Sequence, residues 1–155
     1  MQYAVAGKEQ EFLQKLVGVW DVEAENPEHQ SSGWTETVRS LHGIWFVAEG
    51  HGEMPGGGAA STVMTLGYDP AKDKYVGTWI GSMMNHMWVY EGFVDETGKV
   101  LNLDTTGPDF EKEGETATYR EAITLLDDDN RTFTSSIRTA DGSWKEFMKA
   151  KYRRK

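Results

Sequence analysis

Acids and an imidazole alternate along Glu49-Gly50-His51-Gly52-Glu53, and Glu36 stands on the preceding run of β-formers. Carboxylates and imidazoles move protons or bind metal near neutral pH, so these are the first candidates for chemistry. A zinc site built from the triplet alone fails on geometry. Alternate strand residues advance about 7 Å and the outer pair about 13 Å, too far for one ion. No metal site is expected. If His42-Gly43 is a two-residue turn, with glycine supplying the positive φ of a primed hairpin, Trp34, Glu36, Val38 and Ser40 stand opposite His51, Glu49, Val47 and Trp45. Turning that face inward buries two tryptophans and two valines, each large side chain contributing about 1.5–3 kcal/mol. It also sets Glu36 and Glu49 about 5 Å apart between Cβ atoms. Two charges so close need either the water of a barrel rim or a shared proton. In the second case the pair, aided by His51 and by Arg120 from a later strand, either anchors the polar group of a ligand or serves as acid and base.

A second hairpin around Ser82–Asn85 pairs Trp79 with Trp88, Gly77 with Tyr90 and Tyr75 with Gly92. Such an aromatic wall either fills a core or lines a pocket, and the two glycines leave room for a guest. Met83, Met84 and Met87 flank His86 and serve equally as a flexible lip or as gap-fillers. His29, His42 and His86 sit in or beside turns, with no ligand spacing among them.

The elements that must position these residues are strands. Short β-rich stretches bounded by turn signals read as Val17–Ala24, Gly33–Leu41, Ile44–Gly52, Ala60–Tyr68, Lys74–Gly81, His86–Val94, Lys99–Asp104, Thr116–Leu126, Arg131–Arg138 and Trp144–Arg153. The turns between them are explicit: Asn26-Pro27, His42-Gly43, Pro55–Gly58, Asp69-Pro70, Glu96–Gly98, Asp128–Asn130 and Asp141-Gly142. Phe12, Leu13 and Leu16 recur at helical spacing within 8–16, which predicts a short helix able to plug one end of a barrel. Thr105–Glu115 reads as the one long irregular stretch, a loop of the kind that sits over a site or moves. The expected fold is all-β: one domain over residues 1–155, a single antiparallel up-and-down barrel of about 8–10 strands over 17–153.

Composition narrows the function classes. With 155 residues the chain suits one domain with its own core, and zero cysteines exclude disulfides and thiolate chemistry. The formal charge of −9, with acids gathered at Glu111–Glu115 and Asp127–Asp129, argues against a nucleic-acid partner. No stretch is long and apolar enough for a membrane helix, and residues 1–7 lack the pattern of a secretory signal, so the expectation is a cytoplasmic protein with no membrane partner. No nucleophile elbow, phosphate loop, dinucleotide fingerprint or zincin motif occurs, and no cofactor is expected.

Gly18-Val19-Trp20 opening the first strand and Tyr152-Arg153-Arg154 closing the last resemble the calycin arrangement, in which a C-terminal arginine covers a first-strand tryptophan. A cation over an indole seals a barrel end with about 0.5–2 kcal/mol. Leu66-Gly67-Tyr68-Asp69, Lys74-Tyr75, Thr78-Trp79, Leu41-His42-Gly43 and Tyr152-x-Arg154 together resemble a bacterial family known as domain of unknown function 1579. The resemblance implies a calycin-like barrel, akin to lipocalins and fatty-acid-binding proteins, and supplies no activity. In that family an aspartate often follows the tryptophan by two positions, where this chain has Gly81. The leading expectation is therefore a barrel, non-enzymatic or at most weakly catalytic, around a small hydrophobic or amphipathic molecule. Its binding set would be Glu36, Trp45, Glu49, His51, Tyr75, Trp79, Trp88, Tyr90 and Arg120, with Trp20, Arg153 and Arg154 closing one end. The rivals are a glutamate-pair enzyme, a haem-binding relative of nitrobindin, and an assembly module with a filled core and a homodimer surface. Haem is disfavoured because nothing after His86 is a histidine.

Overall fold

A computed structural model describes residues 2–25, 33–54 and 56–155. The turn Asn26-Pro27, His29, and Pro55 of the turn Pro55–Gly58 lie outside the described residues. The strands are β1 (Gly18–Ala24), β2 (Trp34–Leu41), β3 (Trp45–Glu53), β4 (Ala59–Asp69), β5 (Lys74–Gly81), β6 (Trp88–Val94), β7 (Val100–Pro108), β8 (Thr116–Leu125), β9 (Asn130–Arg138) and β10 (Trp144–Arg154). Every strand pairs antiparallel with its neighbours in sequence, and β1 pairs with β10, so the sheet closes with no free edge. Ten strands enclose a wider lumen than the eight whose inward side chains just fill the space. An interior cavity follows from that strand number.

One helix, α1 (Gln10–Gln14), precedes the barrel. It is shorter than 8–16 because the apolar spacing spans a single turn, with hydrogen-bonded turns on either side. Phe12, Leu13 and Leu16 are buried in the common core and cap the end of the barrel where β1 begins. Two side chains tie this plug down: Trp20 Nε1 donates to the Leu16 carbonyl at 2.9 Å, and the Tyr75 hydroxyl donates to the Glu9 carbonyl at 2.7 Å.

Two sequence expectations require correction. The residues from Thr105 to Pro108 are strand rather than loop, because they pair with Tyr119 to Thr116 and thereby bury Thr105. The irregular segment shrinks to 109–115. The β2–β3 turn holds three residues, not two: His42 and Gly43 both adopt positive φ, Ile44 joins the turn, and Leu41 pairs with Trp45. That single extra residue inverts the whole of β3. Glu36 faces Gly50, Val38 faces Ala48 and Ser40 faces Phe46, while Thr37 faces Glu49 and Thr35 faces His51. By contrast the β5–β6 register is as read: Trp79 opposite Trp88, Gly77 opposite Tyr90 and Tyr75 opposite Gly92.

Candidate functional site

The interior holds a cavity of about 460 Å³, within the range of small-molecule sites. Its walls include Val38, Phe46, Leu66, Trp88, Ile123 and Phe133, inward residues of six strands. The mouth lies opposite α1 and is framed by Trp34, Met54, Met83, Met84, Phe110 and Phe147. A β-bulge in β10 builds part of this rim: the register shifts between Glu146 and Met148, so Phe147 and Met148 both reach the cavity. Phe110 comes from the 109–115 segment and packs with Trp88 and Tyr119 at centroid distances of 6.1 and 5.9 Å. The Tyr119 hydroxyl anchors the root of that segment by donating to the Pro108 carbonyl at 2.7 Å.

Glycines make room for the rings. A Cβ on Gly107 would lie 2.2 Å from the Trp88 ring, and one on Gly52 would lie 2.4 Å from the Trp34 ring. Each indole lies flat on backbone that any larger residue would lift it from.

Two polar groups interrupt the apolar wall. Arg131 donates to Glu36 at 2.7 Å, with only 3% of the arginine side chain and 16% of the glutamate exposed. The Arg131 guanidinium also lies 4.0 Å from the Tyr152 ring and 4.5 Å from the Trp20 ring, so aromatic faces share its charge. Its Nε is buried without a hydrogen-bond partner among the described residues. The second group is Glu121, which accepts a hydrogen bond from the Ser135 hydroxyl. Burial pushes its carboxyl up to about 7, only partly opposed by that hydrogen bond. Burial, with the Glu121 charge adding to it, raises the Tyr90 phenol. Tyr152 is raised chiefly by burial and then by Glu36.

Of the residues singled out by sequence, Glu36, Trp79, Trp88 and Tyr90 line the cavity. Five others do not. Glu49 and His51 point outward as a consequence of the β3 inversion: Glu49 pairs with Arg39 at 3.2 Å, and the His51 ring contacts the Ser61 hydroxyl at 3.0 Å. Glu36 and Glu49 therefore lie on opposite faces of the sheet and form no pair. Trp45 also lies outside, where its ring covers Gly67, at which a Cβ would meet it at 2.3 Å. Arg120 is on the outer face of β8, bonded through Nε and Nη2 to Asp104 and lying over the Phe93 and Trp144 rings. Tyr75 points inward yet is spent beneath the helical plug rather than in the cavity.

At the closed end, the Arg154 guanidinium lies 4.3 Å from the Trp20 ring and donates to the Val17 and Lys15 carbonyls at 2.6 and 2.9 Å. Arg153 takes no part in this closure, since it is exposed opposite Asp21 on the outer surface. Arg131 and Glu121 were not among the residues picked from sequence. Their signal was alternation: Arg131 shares a period of two with Phe133 and Ser135, and Glu121 stands between Tyr119 and Ile123. No described histidine lines the cavity, and among the described residues no three His, Cys, Asp or Glu side chains gather as metal ligands. Among those residues no helix is long and apolar enough to cross a membrane.

Comparison with known proteins bears on the fold and the family. No curated protein matches the chain. The S-type phycobiliprotein lyase CPES from Guillardia theta is similar in structure, with a TM-score of 0.56 and 16% identity over 95% of this chain and 92% of that one. EF1p2_mFAP2b, solved bound to DFHBI, is similar with a TM-score of 0.51 and 12% identity over 94% and 98% of the two chains. At such identities the likeness is one of fold. Residues 5–154 match the family described as "Protein of unknown function (DUF1579)", and since the match spans nearly the whole chain, the protein belongs to that family.

Proposed function

We propose that this barrel binds a small hydrophobic or amphipathic molecule in its lumen. The observation that carries the reading is a cavity of about 460 Å³ with apolar walls and two polar groups, Arg131–Glu36 and Glu121–Ser135, set among them. Burying polar groups unassisted costs free energy, and a site that orients a guest has use for them. A filled core, the assembly-module reading, leaves this space unexplained. Acid/base chemistry by opposed glutamates loses its basis with Glu49 on the outer surface. A barrel of similar fold was solved with DFHBI bound, which supports the reading without naming a guest for this chain.

Three tryptophans, Trp34, Trp79 and Trp88, line the cavity, so guest binding should alter intrinsic fluorescence. Titration with fatty acids, long-chain amines, porphyrins and aromatic metabolites tests it. Saturable quenching that weakens in Phe133→Trp, which narrows the lumen, is the expected result. A flat response to every member of that panel refutes the proposal.

A further inference from the structure

We infer that the guest carries a protonated nitrogen: a hydrophobic amine seated with its ammonium against Glu121 and its apolar body toward the mouth. The inference rests on the cavity reading above and goes further by assigning the guest's charge. Among the described residues, two carboxyl groups and one guanidinium line the cavity. Glu36 and Arg131 neutralise each other at 2.7 Å, and the arginine faces Trp20 and Tyr152, so this pair offers little to an incoming ion. Among the described residues Glu121 has no such cation. Its one hydrogen bond comes from a neutral hydroxyl, and its flanking inward residues on β8 are Tyr119 and Ile123. An ionised carboxylate in that setting lacks a counter-charge, and an ammonium supplies it. A carboxylate guest would instead place a second negative charge beside the first. The formal charge of −9 attracts cations to the protein from a distance.

The titratable and charged side chains that share the cavity with Glu121 are Tyr90 on β6, Tyr152 on β10 and the mutually paired Glu36 and Arg131 on β2 and β9, while its register partners are the apolar Leu103 on β7 and Ser135 on β9. Both phenols titrate well above neutrality. Glu121, pushed up to about 7, changes charge between pH 6 and 8.

Dodecylamine, dodecanol and dodecanoate share a tail and differ in head charge, and tryptophan fluorescence or calorimetry reads their binding. An alkylamine stays protonated from pH 6 to 8, as a lysine side chain does. The ionised fraction of a carboxyl with pKa 7 rises from about 0.09 to about 0.91 over that interval. Dodecylamine should thus bind tightest of the three at pH 8 and tighten about tenfold from pH 6 to 8. In E121Q its advantage over dodecanol and its pH dependence should both vanish. Tighter binding of dodecanol or dodecanoate at pH 8 overturns the amine assignment and leaves the cavity reading standing; failure of all three to bind removes both. Should E121Q not fold, the pH profiles of the unmodified protein with the three ligands decide the matter alone.

Discussion

Replacing Glu121 with glutamine should change how stability depends on pH, even with nothing bound. In the folded protein this carboxyl ionises at about 7 against an ordinary 4.5, so the native state holds a proton that the unfolded chain releases earlier. Stability from this group is complete below pH 4.5 and is lost as pH rises through 7. The full loss is about 3 kcal/mol. Most of it, about 2–3 kcal/mol, falls between pH 5 and 8. Glutamine has nearly the same shape and does not titrate. Urea unfolding of both proteins at pH 5, 6, 7 and 8 should therefore show E121Q gaining about 2–3 kcal/mol on the parent across the series. Taking the difference cancels the other acids. Parallel profiles would show that Glu121 is well solvated, and the reasoning from its burial would fall.

Three further outcomes are expected. Arg131→Met leaves Glu36 unpaired inside the barrel and should cost about 3–5 kcal/mol by urea unfolding; a loss under 1 kcal/mol would mean the pair is solvated. Gly107→Ala drives a Cβ to 2.2 Å from the Trp88 ring and should cost about 1–3 kcal/mol, with a shift in tryptophan emission; unchanged emission and stability would contradict that close contact. Arg154→Ala removes two charged donors from the Val17 and Lys15 carbonyls and should lower stability by about 2 kcal/mol, with Arg154→Lys recovering only part because an ammonium lacks the planar fork. Full recovery by lysine would assign the effect to charge alone.

The barrel was legible because strand and turn chemistry agree along most of the chain. Lys74–Gly81 was bounded correctly, and the β5–β6 register followed from centring a hairpin around Ser82–Asn85. The β2–β3 hairpin shows what sequence leaves open. His42-Gly43 fits a two-residue turn as well as the first part of a three-residue one, and hydrophobicity favoured an inward Trp45. In the structure Trp45 instead covers Gly67 on the outer surface, and Phe46 takes the interior position. A one-residue ambiguity thereby moved Glu49 and His51 to the wrong side of the sheet. Arg131 and Glu121 were missed for a different reason. Charged residues read as solvent-facing by default, and only closure of ten strands brings Arg131 to Glu36, which lies 95 residues earlier in the chain.

The helical plug makes the two rims unequal. With Phe12, Leu13 and Leu16 seated at one end, the described residues leave the lumen a doorway at the other end past Met83, Met84, Phe110 and Phe147. Bulk added at that threshold slows arrival and departure by the same factor, so residence time can be lengthened there while equilibrium occupancy stays where the deeper contacts set it.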